Sequence, residues 1–378
     1  QGAILVFSPD GEGGFTEQVL RAGTPVDGDF LGLSVDINSA GVIVATANGD
    51  DTAATGAGAL YVFRPDGEGG YRAAVELFAP DAAAGDNLGG DVSINDAGVI
   101  VVGASLGDGL VGNTGTAYVF KPDGTGNYTD TGIELQANDG ANGDNFGSAL
   151  AINASGTIAV GAPSDGAGSV YVFTEPMGTY QQAGKISVDD IPATSGFGIS
   201  LDLNNQGILV VGASGDDGVT ENTGAVYVYT PSINGTYPHP PVKLYAPEGM
   251  SGDEFGNAVA INADGNIMVG AQGDDTDAGS AYSFVRDANG NYIHDGHVFI
   301  SEGDQGTVSL VTIDLNELLD LSDVDDVPVI DETSITLTDN AASDAPFGAG
   351  GFSVNGTTLT VNTAIFDILN SGDRAVID

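Results

Sequence analysis

Cysteine and tryptophan are absent from this chain, and Lys and Arg together number only eight in 378 residues. Without cysteine there is no disulfide, so stability must come from packing, backbone ladders or a metal. That absence leaves secretion open, because many bacterial surface proteins lack cysteine. No run of about 18 apolar residues occurs, which excludes a membrane-spanning helix. There is no Cys nucleophile, no Gly-x-Ser-x-Gly elbow and no phosphate loop with its Lys. The three histidines, His239, His294 and His297, are too sparse for a zinc site, which wants three or four ligands. They read as exposed loop residues. Acid pairs suited to glycoside hydrolysis exist by number alone, but no motif singles out two.

The eight cations face 53 Asp and Glu, a net charge of −45. Such a surface repels nucleic acid and anionic lipid. It attracts cations, above all Ca²⁺, whose ligands are carboxylate and carbonyl oxygens. Solubility in a saline medium is the other reading. Residue 1 is Gln and no signal peptide is present, so the expectation is a chain that starts after processing or an internal fragment.

What the chain has is glycine, 59 of them, and Val, Ile, Ala, Phe and Tyr in strand-like runs. Hydrophobic residues reach 41%, enough for real cores and too many for a disordered acidic tail. A Gly-Asp-x-[Phe/Leu]-Gly element recurs, its last glycine at Gly32, Gly89, Gly147, Gly198 and Gly256, a period of 51 to 58 residues. The fourth copy, "TSGFG", has lost its Asp. Each copy continues with an alternating strand that ends in a turn such as "INDAG" or "INASG", where Gly takes the positive φ of a hairpin. A nearly all-apolar strand follows ("VIVVGA", "TIAVGA", "ILVVGA"), whose continuous hydrophobicity predicts burial on both faces. A Gly/Asp-rich loop, a strand of the type "AVYVY" and a fourth strand complete the unit. Four antiparallel strands cannot cover both of their faces alone. Several such sheets packed in a ring can, which is the β-propeller solution. The small Gly-Ala pair, at Gly103, Gly161, Gly212 and Gly270, is expected where blades crowd. The aromatic of Phe146-Gly147, Phe197-Gly198 and Phe255-Gly256 is expected to wedge between neighbours.

The motif resembles the FG-GAP repeat of integrin α-subunit propellers, and more closely the bacterial FG-GAP proteins with "GAxYVF" strands, over residues 1–306. The resemblance implies a propeller and says little of function, because propellers host enzymes, lectins and scaffolds alike. Five complete repeats run from about Asp27 to Gly303, preceded by half a repeat: "GAILVF" matches a third strand and "FTEQVLRAG" a fourth. Seven blades at this period would need about 400 residues. Six positions fit if two strands come from elsewhere, and "TVSLVTIDL" (307–315) is a candidate for one. An unpaired blade edge invites strand addition.

After an acidic junction at 307–330, residues 331–378 resemble part of an Ig-like, cadherin-like module of the VCBS type found in large bacterial adhesins. "VNGTTLTV" reads as a hairpin. The whole is therefore expected to be all-β.

The loops after the buried strand carry Asp50, Asp51, Asp108, Asp165, Asp216, Asp217, Asp274 and Asp275. Clustered carboxylates repel unless paired or metal-bound, and Lys and Arg look too rare to pair them. Ca²⁺ is the expected cofactor there or at the junction residues Asp323, Asp325 and Asp326. The first-strand turns, with Asp36 and Asn38 or Asp202 and Asn204, read as plain hairpins. The expectation is a non-enzymatic extracellular or cell-surface protein, structural or adhesive, that associates with itself or with neighbouring subunits. Assembly into a filament by strand complementation is the sharper form. The alternative is a glycan-binding propeller module with Tyr128, Tyr237 and Tyr245 as sugar contacts.

Overall fold

A computed structural model describes residues 2–299, apart from the short stretches 10–13, 24–25, 110–111, 130, 219–222, 248 and 275–278, together with five short strands beyond residue 301. The fold is all-β and propeller-like. Strands β1 (Ile4–Pro9) and β2 (Phe15–Leu20) pair as an isolated antiparallel couple. Five four-stranded sheets follow, each antiparallel and in chain order. The first blade holds β3 (Val35–Ile37), β4 (Ile43–Ala47), β5 (Ala59–Phe63) and β6 (Val75–Leu77). The second holds β7 (Val92–Ile94), β8 (Ile100–Ala104), β9 (Thr116–Phe120) and β10 (Ile133–Leu135). The third holds β11 (Leu150–Ile152), β12 (Ile158–Ala162), β13 (Ser169–Thr174) and β14 (Gln181–Ser187). The fourth holds β15 (Ser200–Leu203), β16 (Leu209–Ala213), β17 (Ala225–Tyr229) and β18 (Val242–Leu244). The fifth holds β19 (Phe255–Ile261), β20 (Ile267–Ala271), β21 (Ser280–Arg286) and β22 (Tyr292–Phe299).

The alternation of the sequence decides which strand is buried where. The apolar second strands β4, β8, β12 and β16 are buried at every residue, because each lies in mid-sheet with a blade on either face. The core is accordingly divided among the blade interfaces. Val44, Leu60 and Leu77 of the first blade pack on Leu88, Val92 and Tyr118 of the second, and the pattern repeats through the fifth blade. Phe146 is fully buried between the second and third blades, edge-on to Tyr171 and Phe173. Phe197 and Phe255 repeat the arrangement one and two blades later.

The glycines seat one blade against the next. A side chain on Gly103 would collide with the Gly147 carbonyl of the following blade, one on Gly161 with Gly198, and one on Gly212 with Gly256. A second seat lies before each third strand, where Gly58, Gly115, Gly168 and Gly224 abut the backbone of Leu88, Phe146, Phe197 and Phe255. Backbone meets backbone at these points, so no side-chain rearrangement can relieve the collision. In the first blade Thr46 stands at the Gly-Ala position, and Gly89 approaches its side chain instead.

The candidate 307–315 strand does not complete the half blade. Thr307–Val308 pairs with Glu302–Gly303, and Thr312–Asp314 pairs with Thr358–Val361. Thr358–Val361 also forms a hairpin with Phe352–Asn355, as the Asn-Gly turn predicts. The remainder of the junction, with Asp323, Asp325 and Asp326, and the rest of residues 331–378 lie outside the described residues, as does Asp275.

Candidate binding interface

Four of the loop aspartates are engaged in a repeated station. Asp50, Asp165, Asp216 and Asp274 each accept a hydrogen bond from the tyrosine hydroxyl of their own third strand: Tyr61 at 2.8 Å, Tyr171 at 2.8 Å, Tyr227, and Tyr282 at 2.6 Å. In the second blade this position is Gly107, and Tyr118 donates to Asp81 of the preceding blade instead. Asp51 and Asp108 accept the backbone N–H groups of Gly56 and Asn113, and Asp217 is exposed beside Asp216. Among the described residues no three Asp, Glu or His side chains converge as a metal site would require. Asp50, Asp165, Asp216 and Asp274 each have an oxygen already directed at a tyrosine hydroxyl, and Asp51 and Asp108 at a backbone N–H.

The scarcity of cations also misleads. Lys185 lies 2.7 Å from both Asp139 and Asp165, and Lys243 lies 2.8 Å from the buried Asp216. Both ammonium groups also sit over the ring of the station tyrosine, at 5.2 and 5.0 Å. Lys185 holds Asp139 below the ordinary carboxylate range. Burial pushes Asp165 up, but bonds from Lys185 and Tyr171 outweigh it and the net shift is downward.

The first blade lacks this cation. Glu76 occupies the strand position of Lys185 and Lys243, so Tyr61 has a carboxylate 2.8 Å away on either side and one proton to give. Burial, then Glu76 and Asp50, push its phenol far up. Glu76→Lys should therefore stabilise the protein by roughly 1 kcal/mol, the scale of a partly buried pair, read as a higher urea midpoint at unchanged slope.

Two further carboxylate and amide sets join the blades at their first strands. The carboxylate of Asp36 accepts the N–H of Ile94 at 2.7 Å, Asp91 that of Leu150 at 2.9 Å, and Asp202 that of Ile261 at 2.8 Å. Each satisfies an edge-strand donor of the next blade, which is how an exposed edge is kept from pairing elsewhere. Asp36 and Asp202, expected to be plain hairpin residues, thus also tie their blade to the next.

Asn38, Asn95, Asn153 and Asn204 form a ladder. Each donates its side-chain N–H to the backbone carbonyl of the next blade's asparagine, ending on Asn262. Each Oδ1 meanwhile accepts two N–H groups of its own turn, as for Asn95 with Ala97 and Val99. Sequence reading treated these asparagines as turn formers only. Their recurrence after Ile or Leu in every copy, "IN" in four and "LN" in the fourth, is the signal.

Burial pushes the Asp91 and Asp202 carboxyls up, and the charge of Asp36 adds to both. A raised carboxyl favours folding while protonated, and that advantage is lost as pH rises through its folded value. Asp139 and Asp165, held low, contribute in the opposite sense and lose stabilisation as pH falls. With a net charge of −45, repulsion sides with the first pair. Melting temperature should therefore rise between pH 7 and about pH 5, then fall as the ordinary carboxylate pKa of about 4 is passed.

Among the described residues no strand fills the sixth position, and its walls are apolar. Leu5 and Phe7 of β1 are 53% and 56% exposed, whereas Tyr61 and Phe63, at the same strand positions of the first blade, are 3% and 2%. Met268 of the fifth blade is 57% exposed, whereas its counterparts Val44, Val101, Ala159 and Val210 are at most 1%. Val35 and Ile37 of β3 are likewise exposed where Val92 and Ile94 are buried. Gly270 repeats the Gly-Ala seat, yet the nearest atom to an added Cβ is Ala258 Cβ at 3.4 Å, in its own sheet. Asn262, the last rung, donates to no further blade.

Tyr128 is buried and donates to the Gly98 carbonyl, and the half-buried Tyr237 donates to the Gly207 carbonyl. Tyr245 is half-buried under Lys243. His294 is a half-buried strand residue tilted against Phe284 and Tyr282, not an exposed loop residue, whereas His239 is an exposed loop residue, as expected, with its ring edge-on to Tyr229. The side chain of His297 lies outside the described residues.

Comparison with known proteins agrees with this architecture. The FG-GAP repeat family matches residues 71–120, 133–173, 180–229 and 241–284. A solved structure described as a functionally unknown protein from Desulfotomaculum acetoxidans DSM 771 superposes with a TM-score of 0.51 at 13% identity, covering 77% of each chain. At that identity the likeness concerns the fold alone. No curated protein matches the sequence.

Proposed function

We propose that this FG-GAP β-propeller-like repeat protein is a non-enzymatic structural or adhesive component of an extracellular surface. In this reading its incomplete sixth blade is completed by strands of a neighbouring copy. The observation that carries the proposal is the seat series: Gly103, Gly161 and Gly212 each hold the next blade, and Gly270, in the same sequence context, holds none among the described residues. The walls of the gap expose five large apolar side chains, Leu5, Phe7, Val35, Ile37 and Met268. Each contributes about 1.5–3 kcal/mol when buried. The gap lacks two antiparallel strands joined by a turn. The C-terminal segment contains such a pair, Phe352–Asn355 with Thr358–Val361. The donor is this segment of the adjacent protomer, and the resulting assembly is a filament of the kind large adhesins and surface layers use. Ca²⁺, on this proposal, belongs to the acidic junction at Asp323, Asp325 and Asp326, where it would stiffen the linker. Comparing melts with and without chelator tests that part.

Light scattering on the full chain against Gly270→Val tests the assembly. The parent should grow in mass with concentration while the variant stays monomeric and folded. A parent that remains monomeric at high concentration, with and without Ca²⁺, would overturn the proposal.

A further inference from the structure

The first hairpin of every blade follows one pattern. An apolar, a variable and an apolar residue lead to an asparagine, as in Val92-Ser93-Ile94-Asn95 or Leu201-Asp202-Leu203-Asn204. The returning strand places Ile or Leu second and Val or Ala fourth, as in Val99-Ile100-Val101-Val102. In the second blade the register is Val92↔Val102, Ser93↔Val101 and Ile94↔Ile100, and Asn95 closes the hairpin by donating its N–H to the Val99 carbonyl at 3.1 Å.

The same pattern occurs a sixth time, outside the repeats. Phe352-Ser353-Val354-Asn355 returns as Thr358-Leu359-Thr360-Val361. Its register is Phe352↔Val361, Ser353↔Thr360, Val354↔Leu359 and Asn355↔Thr358. It matches a blade's first two strands pair for pair, with Asn355 in the place of Asn95, and its turn is one residue shorter. The likeness extends one strand further. Thr312–Asp314 lies on the other side of Thr358–Val361, Thr312 opposite Thr360 and Ile313 opposite Leu359. In the second blade β9 holds that side, Val119 opposite Val101 and Phe120 opposite Ile100.

The half blade has the complementary lack. Among the described residues β1 pairs with β2 alone, whereas β9 has a strand on each side. The Asn38 carbonyl accepts only from Gly41 of its own turn, whereas the Asn95 carbonyl accepts from both Gly98 and the Asn38 amide.

We propose that Phe352–Val361 of a neighbouring copy docks in one register, with Asn355 as the rung that donates to the Asn38 carbonyl. This rests on the proposed assembly and adds the residue that fixes its alignment. A one-residue slip would turn every side chain of the hairpin to the other face. Docking is a strand exchange. β1 of the receiving copy takes the side of Thr358–Val361 that Thr312–Asp314 covers in the free chain. Thr312–Asp314 is thus a placeholder that guards an edge until β1, with six residues against three, offers the longer ladder.

Cysteine cross-linking on the full chain tests it, since the chain has no cysteine of its own. Asp36 Oδ2 and Ser93 Oγ, the equivalent positions of the first and second blades, lie 3.1 Å apart. Asp36→Cys with Ser353→Cys should therefore give covalent multimers on mild oxidation. Asp36→Cys with Val354→Cys, on the opposite face, should not. Asn355→Asp keeps the turn acceptor and loses the donor, so the concentration for half-assembly should rise about five-fold, the loss of one hydrogen bond. Ile313→Pro breaks the placeholder and should shorten the lag before assembly by a similar factor. Light scattering on the parent separates the register from the assembly itself. A parent that assembles yet cross-links through Val354, or through neither position, overturns the register and leaves the assembly standing. So does an Asn355→Asp chain that assembles like the parent. An unchanged lag in Ile313→Pro overturns the placeholder. Cross-links confined within single chains, or a parent that stays monomeric, overturn both readings.

Discussion

Gly161→Val should unfold the protein, and Gly270→Val should leave it standing. Both glycines occupy the same place in the same motif, and a reading of the sequence alone would give them one fate. At Gly161 the added side chain runs into the carbonyl of Gly198, which belongs to the next blade and itself donates its N–H to Gly212 at 2.9 Å. The collision is with paired backbone, so relief requires moving a blade. The expected loss exceeds about 4 kcal/mol, the range reserved for overpacking of a rigid core. At Gly270 only Ala258 is near, and valine suits a strand. The change should fall within about 1 kcal/mol of the parent. Urea denaturation of the two variants side by side is the measurement. An equal loss in both would show that the fifth seat is filled within the single chain, and would remove the basis for the proposed assembly.

Asn95→Ala should cost about 3 kcal/mol, and Asn262→Ala roughly half of that. Asn95 is buried and makes three bonds: its Oδ1 accepts Ala97 and Val99, and its Nδ2 donates to Asn153 at 3.0 Å. Each is worth about 1 kcal/mol net, with more where a partner is left buried and dry. Asn262 keeps only the two turn bonds, to Asp264 and Asn266, and it is exposed. Asn95→Asp separates the contributions, because it retains the acceptor for the turn and loses only the donor to the next blade. If the alanine variants prove equal by thermal and urea melts, the ladder contributes nothing beyond its turns.

These contrasts mark where the sequence stops being legible. Strand order, the buried second strand and the glycine seats follow from periodicity and residue size, which are local properties. Whether a given Asp faces a cation, a tyrosine or a lysine depends on what strand pairing brings beside it. Asp50 and Asp165 read alike, yet one station closes on Glu76 and the other on Lys185. The loop carboxylates looked like a calcium set because the eight cations seemed too few. Two lysines placed opposite the right aspartates were enough to change that at two stations. The open sixth position was half visible, as a missing pair of strands. Its exposed walls were not, since Leu5 and Met268 look no different in sequence from their buried counterparts.

The asparagine ladder has a direction. Every rung reaches forward, from Asn38 towards Asn262, and none reaches back. The array therefore ends, among the described residues, in a side-chain donor that reaches no further blade on one side and, on the other, in the Asn38 carbonyl, which accepts only from Gly41 of its own turn, and the two ends are not interchangeable. A contact that extends the ladder joins unlike surfaces, so a two-fold axis cannot generate it. Copies added in that way propagate head to tail, closing into a ring if the rotation permits and otherwise growing without limit. A hydrogen bond of about 3 Å, repeated once per blade, is thus enough to give any such assembly a polarity.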